Sequence, residues 1–217
     1  SAEYFAKFQN PIDSLFVTIN KLPSYVLIGK EVLALKKLDN ATEKLLHPFN
    51  LLAGFGQILL GGTNGDKELL KTGINNMEEF LKIKDFPWLR IFSPYGNAML
   101  NMHDNNFNKA IDLFQESLTG IIEMRSEIVW QIIKCHNKNK DYQSAIKVAT
   151  EELEKAPYHS KIILEVSKSY IAENETQKAK EKLTKLLNIW ENADEEYIYF
   201  QEAKKLWKEL NTVKEPA

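Results

Sequence analysis

The chain has 217 residues, of which 44% are hydrophobic and 27% are charged, the balance of a globular protein with a core. Nine glycines, seven prolines and one cysteine exclude a collagen-like chain, a disulfide-stapled domain and zinc sites that need two or more thiolates. The 28 basic and 30 acidic residues nearly cancel, so the overall charge gives no reason to expect nucleic acid as a partner.

Two further features concern the chain as a whole. Its most apolar run, residues 51–62, is interrupted by glycines and falls short of the roughly 20 residues of a membrane span. We therefore expect no membrane span. Because the chain begins with Ser1 and not with Met, we expect a processed form or a piece of a longer protein.

Residues 1–47 are expected to form a helical N-terminal segment. Pro11 suits the first turn of a helix that runs to Asn20. Residues 25–38 fit either two short strands or one helix, and we favour the helix because a stack of helices offers no sheet for strands to join. The apolar face of that helix would consist of Ile28, Val32, Leu35 and Leu38. A further capped helix is expected to start at Asp39.

Residues 48–90 fit a degenerate helix pair. We expect helices at 48–60 and 67–83, joined by a turn that begins at Gly61 and Gly62. Asp66 is placed to cap the second helix. Gly73 is expected to be the small residue at which the two helices cross.

The second half of the chain contains an internal repeat. Ala110, Ala145 and Ala179 each begin a similar apolar pattern, and this pattern recurs at a period of about 34 residues. An amphipathic stretch precedes each alanine, at residues 94–102, 127–136 and 162–171, with a short polar turn between. Two helices that pack about 8–10 Å apart need a small side chain where they cross, which gives each alanine a structural reason.

At these residues the chain resembles the tetratricopeptide-repeat family, over about residues 91–190. The resemblance implies an all-α fold, a right-handed superhelix of antiparallel helix pairs with a C-terminal capping helix. Three repeats would occupy residues 91–193 and the capping helix residues 194–211.

The resemblance also implies a non-catalytic, cofactor-free scaffold for protein–protein interaction. Such stacks bind partner segments on a concave face formed by the first helix of each pair. The partner would be another protein or peptide segment, with an acidic segment as one option and a second copy of the chain, giving a homodimer, as another. The residues expected on or near this face are Tyr95, Met99, Trp130, Lys134, Lys138, Lys161, Leu164 and Lys168. The chain does not match the carboxylate clamp of chaperone-binding members, because Glu165 would repel an acidic tail.

The sequence leaves two other classes of function open. The residues His47, His103, Asp104 and Asp141 have the order used by helical metal-dependent phosphohydrolases, although Asp104 and Asp141 both fall in turns, where Asp is common. Cys135 and His136 are adjacent on a helix and point about 100° apart, so they do not form a catalytic dyad. The third alternative is a purely structural or self-associating module.

Overall fold

The computed structural model describes residues 11–27, 30–118 and 124–212, and all regular secondary structure in these ranges is helical. The α-helices are α1 (Pro11–Leu27), α2 (Glu31–Thr42), α3 (Ala53–Asn64), α4 (Lys67–Ile83), α5 (Phe92–His103), α6 (Phe107–Ser117), α7 (Arg125–Lys138), α8 (Tyr142–Lys155), α9 (Ser160–Ala172), α10 (Thr176–Ile189) and α11 (Ile198–Thr212). Short 3-10 helices lie at Phe49–Leu52 and Pro87–Leu89. No helix within the described ranges is long and apolar enough to cross a membrane.

The chain divides into two compact units, residues 1–121 and 122–217. The boundary falls between the first and second of the three predicted repeats. Unit 1 contains α1 to α6, and unit 2 contains α7 to α11. In both units the most extensive contacts join consecutive helices, in the pairs α1/α2, α3/α4, α5/α6, α7/α8 and α9/α10. The turns within the last four pairs are two or three residues long, which makes the paired helices antiparallel.

The predicted crossing residues are buried. Ala110, Ala145 and Ala179 have no exposed surface. Gly73 takes this role in the α3/α4 pair, because a Cβ atom there would lie 2.7 Å from the carbonyl oxygen of Gly54 and 2.9 Å from the amide nitrogen of Ile58. Both neighbours are backbone atoms that cannot move aside, so only glycine permits this helix separation.

A turn with one conformation recurs in the three repeats. Asn105, Lys140 and Asn174 each follow a first helix, and each has a φ of 60°. They recur with the same period as the crossing alanines, and each lies five residues before its alanine. The next residue donates its N–H to the carbonyl five residues earlier, as in Asp141 to His136 at 2.9 Å, which closes a Schellman motif. The repeat is therefore present in the backbone as well as in the core.

The N-terminal predictions are confirmed in part. The helix that begins at Pro11 continues past Asn20 to Leu27. Residues 25–27 and 31–38 are helical, as expected, but they belong to two helices, α1 and α2, with a non-helical residue at Lys30. The predicted apolar face is right at Leu38, which is buried, and wrong at Val32, which projects into solvent; Ala34 is the other buried residue of α2. Ile28 lies outside the described residues.

Two predicted boundaries are wrong. Asp39 does not start a helix, since it lies in the last turn of α2, where its carbonyl accepts from the Glu43 N–H. Gly61 and Gly62 belong to α3, and the turn is formed by Gly65 at a φ of 80°. Gly61 allows close packing instead, because a Cβ atom there would meet the Leu70 amide nitrogen at 2.8 Å. The helix at Lys67–Ile83 and its Asp66 cap, which accepts from the Glu68 and Leu69 N–H groups, are confirmed.

Lys140 occupies a left-handed position that its two counterparts fill with asparagine. Left-handed backbone costs most L-residues about 1–2 kcal/mol, and asparagine tolerates it better. We expect Lys140→Asn to raise the free energy of unfolding by about 0.5–1 kcal/mol, measured by urea denaturation. Lys140→Ala, which removes the charge and keeps the unfavourable φ, should bring no gain, and an equal gain in both variants would contradict this explanation.

Candidate functional site

Side chains from three helices of unit 2 converge on one surface, here called the α7/α9/α11 surface. Its members are Glu127, Trp130, Lys134 and Lys138 of α7, Lys161, Glu165 and Lys168 of α9, and Tyr199 and Glu202 of α11. The first helices α7 and α9 supply most of them because the repeat turns the same face of each helix in the same direction. Helix α11 supplies the remaining two, Tyr199 and Glu202.

Trp130 is the centre of this surface and is itself buried. The ammonium groups of Lys134 and Lys161 each lie 4.4 Å from the centre of its ring. Tyr199 packs edge-on against the same ring, with the two centroids 5.8 Å apart. Trp130 is therefore a platform that holds two lysines and a tyrosine, and its own ring is covered by them.

Ion pairs connect the three helices. Lys161 of α9 pairs with Glu127 of α7 at 3.0 Å. Lys168 of α9 pairs with Glu165 of its own helix at 2.8 Å and with Glu202 of α11 at 2.9 Å. Burial alone would lower the pKa of Lys168, but these two carboxylates outweigh it and the pKa is raised.

Glu165 is buried, and its carboxylate has two partners. Lys168 donates to Oε1 at 2.8 Å, and the side-chain amide of Asn137 donates to Oε2 at 3.1 Å. Asn137 in turn accepts from the Ser169 hydroxyl at 2.6 Å. A buried carboxylate is tolerated when it is paired and hydrogen-bonded in this way, so the network fixes α7 against α9.

Lys134 differs from the other two lysines. Burial lowers its pKa, and the more distant carboxylates of Glu165 and Glu127 only partly oppose this effect. Among the described residues no carboxylate lies within ion-pair distance of its ammonium group. Lys134 therefore carries a partly desolvated charge whose nearest favourable contact is the Trp130 ring.

Three of the residues predicted for the site are core residues. Tyr95 packs edge-on against Phe114 with centroids 5.6 Å apart, and Met99 fills the space beside Gly62. Leu164 belongs to the core cluster of unit 2, with Leu183 and Phe200. All three are almost fully buried, so their role is packing. Lys138, at the C-terminal end of α7, is exposed.

Four members of the surface were not predicted. Glu127 lies three residues before Trp130, and Glu165 lies three residues before Lys168, spacings at which helix side chains are neighbours. These two could have been found from the sequence. Tyr199 and Glu202 belong to the predicted capping helix, and only the packing of α11 shows that they reach α7 and α9.

The residues of the phosphohydrolase alternative have structural roles where contacts are described. His103 lies 3.2 Å from the Gly62 carbonyl, and Asp104 pairs with Lys67 at 2.5 Å. Asp141 caps α8 by accepting from the Ser144 N–H and also contacts His136 at 3.0 Å. Among the described residues, no group of three or more His, Cys, Asp or Glu side chains is placed to hold a metal ion.

Cys135 is buried, as predicted, and it is not paired in a disulfide. Burial raises the pKa of its thiol to about 12, and Lys134 opposes this only weakly. At neutral pH the thiol is therefore protonated, which makes Cys135 a small apolar core residue.

Two variants should show that the paired Lys168 and the unpaired Lys134 affect stability differently. We expect Lys168→Met to lower the free energy of unfolding by about 1–3 kcal/mol, because it removes a partner from the buried Glu165 carboxylate. Lys134→Met should leave stability unchanged or raise it, since it removes a desolvated charge and keeps the packing on Trp130. Urea denaturation checks both, and equal losses in the two variants would contradict the ion-pair assignment.

His159 should make unit 2 less stable at mildly acidic pH. Its Nδ1 caps α9 by accepting from the Ile162 N–H at 3.4 Å, and burial lowers the pKa of the ring. The unfolded chain therefore binds the proton first as the pH falls below about 6.5, and stability falls with it. His159→Asn keeps a capping side chain without a titrating group. We expect the variant to lose less stability than the natural chain between pH 7.5 and pH 5.0 in urea denaturation, and identical losses would show that His159 is not responsible.

The chain was compared with known proteins. No protein-family model matches it. It is similar to a Podosopora anserina protein described as a kinesin light chain with nearly identical TPR-like repeats, with a TM-score of 0.52 and 16% identity over 87% of this chain and all of that one. Two other solved structures are similar at lower TM-scores. YrrB, described as a TPR protein with an unusual peptide-binding site, has a TM-score of 0.47 and 19% identity over 94% of this chain and 98% of that one. The P58(IPK) TPR domain has a TM-score of 0.46 and 16% identity over 92% of this chain and 57% of that one.

A short segment of the chain matches a curated relative at the sequence level. It is 34% identical over 59 residues to the Drosophila melanogaster BBSome complex member BBS4 homolog and covers 27% of this chain and 12% of that protein. The match spans a small part of both chains, so the fold assignment depends on the structure. The helix pairs, the recurring turn and the likeness to TPR-like repeats together show that the chain resembles the tetratricopeptide-repeat family and has its fold.

Proposed function

We propose that this chain is a non-catalytic scaffold that binds a segment of another protein on the α7/α9/α11 surface. The observation that supports this most is the convergence of Lys134, Lys161 and Tyr199, from three helices, around the Trp130 platform. Helical-repeat proteins bind partners on the side formed by their first helices. The sequence match to a member of a protein complex is in keeping with such a role.

Ion pairs order the side chains of this surface in the absence of a partner. The ion pairs Lys161–Glu127 and Lys168–Glu202 restrain the long lysine side chains, and the buried Glu165 network fixes their helices. Restrained side chains lose less conformational entropy on binding, so more of the interaction energy appears as affinity. Lysine methylene groups and the Tyr199 ring offer apolar area to a partner.

The charges of the surface define the chemistry of the partner. Lys161 and Lys168 already have carboxylates, whereas Lys134 and the exposed Lys138 have none within ion-pair distance among the described residues. A generally acidic segment would be repelled by Glu127, Glu165 and Glu202. The partner segment we propose therefore carries an apolar side chain, which packs against Tyr199, and a single carboxylate, which pairs with Lys134 or Lys138.

This proposal is tested by affinity capture from an extract of the source cells, followed by affinity measurements on the captured partner. We expect Lys134→Met combined with Lys138→Glu to weaken binding about tenfold, which is a loss of about 1.4 kcal/mol in binding free energy. Lys147→Glu reverses a charge at an exposed position of α8, as Lys138→Glu does on α7, and should have no effect. A partner that all variants bind equally well would place the binding site elsewhere.

A further inference from the structure

Unit 1 carries a second surface of a different character. Large apolar side chains project from its turns: Leu46 is 84% exposed, Ile83 46%, Trp88 42% and Phe86 39%. Leu46 precedes the 3-10 helix Phe49–Leu52, and the other three lie in or beside the connection between α4 and α5. We call these four residues the aromatic edge.

Phe49 and Phe80 lie between the two parts of the aromatic edge. The Phe49 N–H bonds to the Leu46 carbonyl at 2.8 Å, and the Phe49 ring lies 6.1 Å from that of Phe80. Phe80 stacks on Phe86 at 5.8 Å. The exposed Phe86 ring therefore lies against the buried Phe80 ring, which also contacts Phe49 near Leu46, and Ile83, Phe86 and Trp88 are grouped within six residues of the chain.

Buried side chains and an ion pair stabilise the connection that carries most of the aromatic edge. Phe80 and Leu89 are fully buried beneath it, and Trp88 packs against Phe16 of α1 with ring centroids 5.6 Å apart. Arg90 donates two hydrogen bonds to Asp85, at 3.1 and 2.6 Å, across the same connection. The connection thus holds its apolar side chains outward in a defined arrangement, and large apolar side chains exposed together in this way are candidates for an interaction site.

The connection that carries Ile83, Phe86 and Trp88 is locally basic, although the preceding turn of α4 contains Glu78 and Glu79 and the chain as a whole has a net charge of −2. Residues 82–90 contain three basic residues and one acidic residue, and Arg90 already pairs with Asp85. Lys82 and Lys84 are exposed, and neither forms an ion pair with a carboxylate in the described part of the chain. Apolar side chains and free cations therefore project from the same connection.

We propose that the aromatic edge docks on a membrane surface that contains anionic lipid. Isoleucine, phenylalanine and tryptophan that project from a turn can enter the boundary between headgroups and acyl chains, where tryptophan is favoured. Lysines beside them remain at headgroup level and attract anionic lipid. This inference is independent of the proposed function, because it concerns other residues in the other unit.

Sedimentation of the full chain with two kinds of vesicle tests the proposal, one of phosphatidylcholine alone and one in which phosphatidylserine replaces part of it. We expect binding to the phosphatidylserine vesicles, reduced at least tenfold by Phe86→Ala with Trp88→Ala. Lys82→Gln with Lys84→Gln should weaken it roughly fivefold per lysine and reduce the advantage of anionic over neutral vesicles. Tyr158→Ala removes an exposed aromatic ring of unit 2 and should change nothing.

Quenching by brominated lipid identifies the residue that enters the bilayer. Trp88 and Trp207 are the partly exposed tryptophans among the described residues, whereas Trp130 and Trp190 are buried. We expect Trp88→Phe to bind vesicles and lose quenching, and Trp207→Phe to keep both. Absence of binding at about 1 mM lipid, equal binding by the Phe86/Trp88 variant, or quenching that depends on Trp207 would each overturn the proposal, including the case in which the edge binds a protein instead.

Discussion

The close crossing of two helices at a small residue is the constraint on which the rest of this structure depends. A side chain larger than alanine at Ala145 or Ala179 would force a helix pair apart, and at Gly73 even one Cβ atom would strike backbone. Each crossing alanine follows a left-handed turn by five residues, so the turn and the crossing together set the direction in which the second helix returns. Within unit 2, repetition of this arrangement aligns the first helices α7 and α9.

That alignment explains why the α7/α9/α11 surface exists. Lys134 and Lys168 occupy equivalent positions in successive repeats, as do Glu127 and Lys161, so each repeat presents the same helix position on the same side. The charge changes sign between Glu127 and Lys161, which allows the two to pair across the repeats. The surface is therefore internally neutralised except near Lys134 and Lys138, and the partner we propose for it is inferred from this distribution of charge.

In unit 1 the equivalent positions of the repeat carry apolar residues. Tyr95 and Met99 of α5 occupy the positions that Trp130 and Lys134 occupy in α7, and both are buried. Apolar residues at these positions contribute to the core of unit 1, and the aromatic edge of the same unit is a separate group of exposed apolar side chains. One helix-pair scaffold thus carries a charged surface in one unit and an apolar surface in the other, because the crossing residues set the fold and leave the remaining positions free to vary.

The sequence by itself determined the helical class, the repeat, the crossing residues and the helix at Lys67–Ile83, because these follow from local spacing and short-range backbone preference. It also indicated Lys134, Lys161 and Lys168, which share one face in successive repeats. Only the tertiary structure decided that Leu164 is core, that Gly61 serves packing and that Tyr199 and Glu202 complete the surface. These outcomes depend on which helices meet, and contacts between residues far apart in the chain leave no periodic signal in a single sequence.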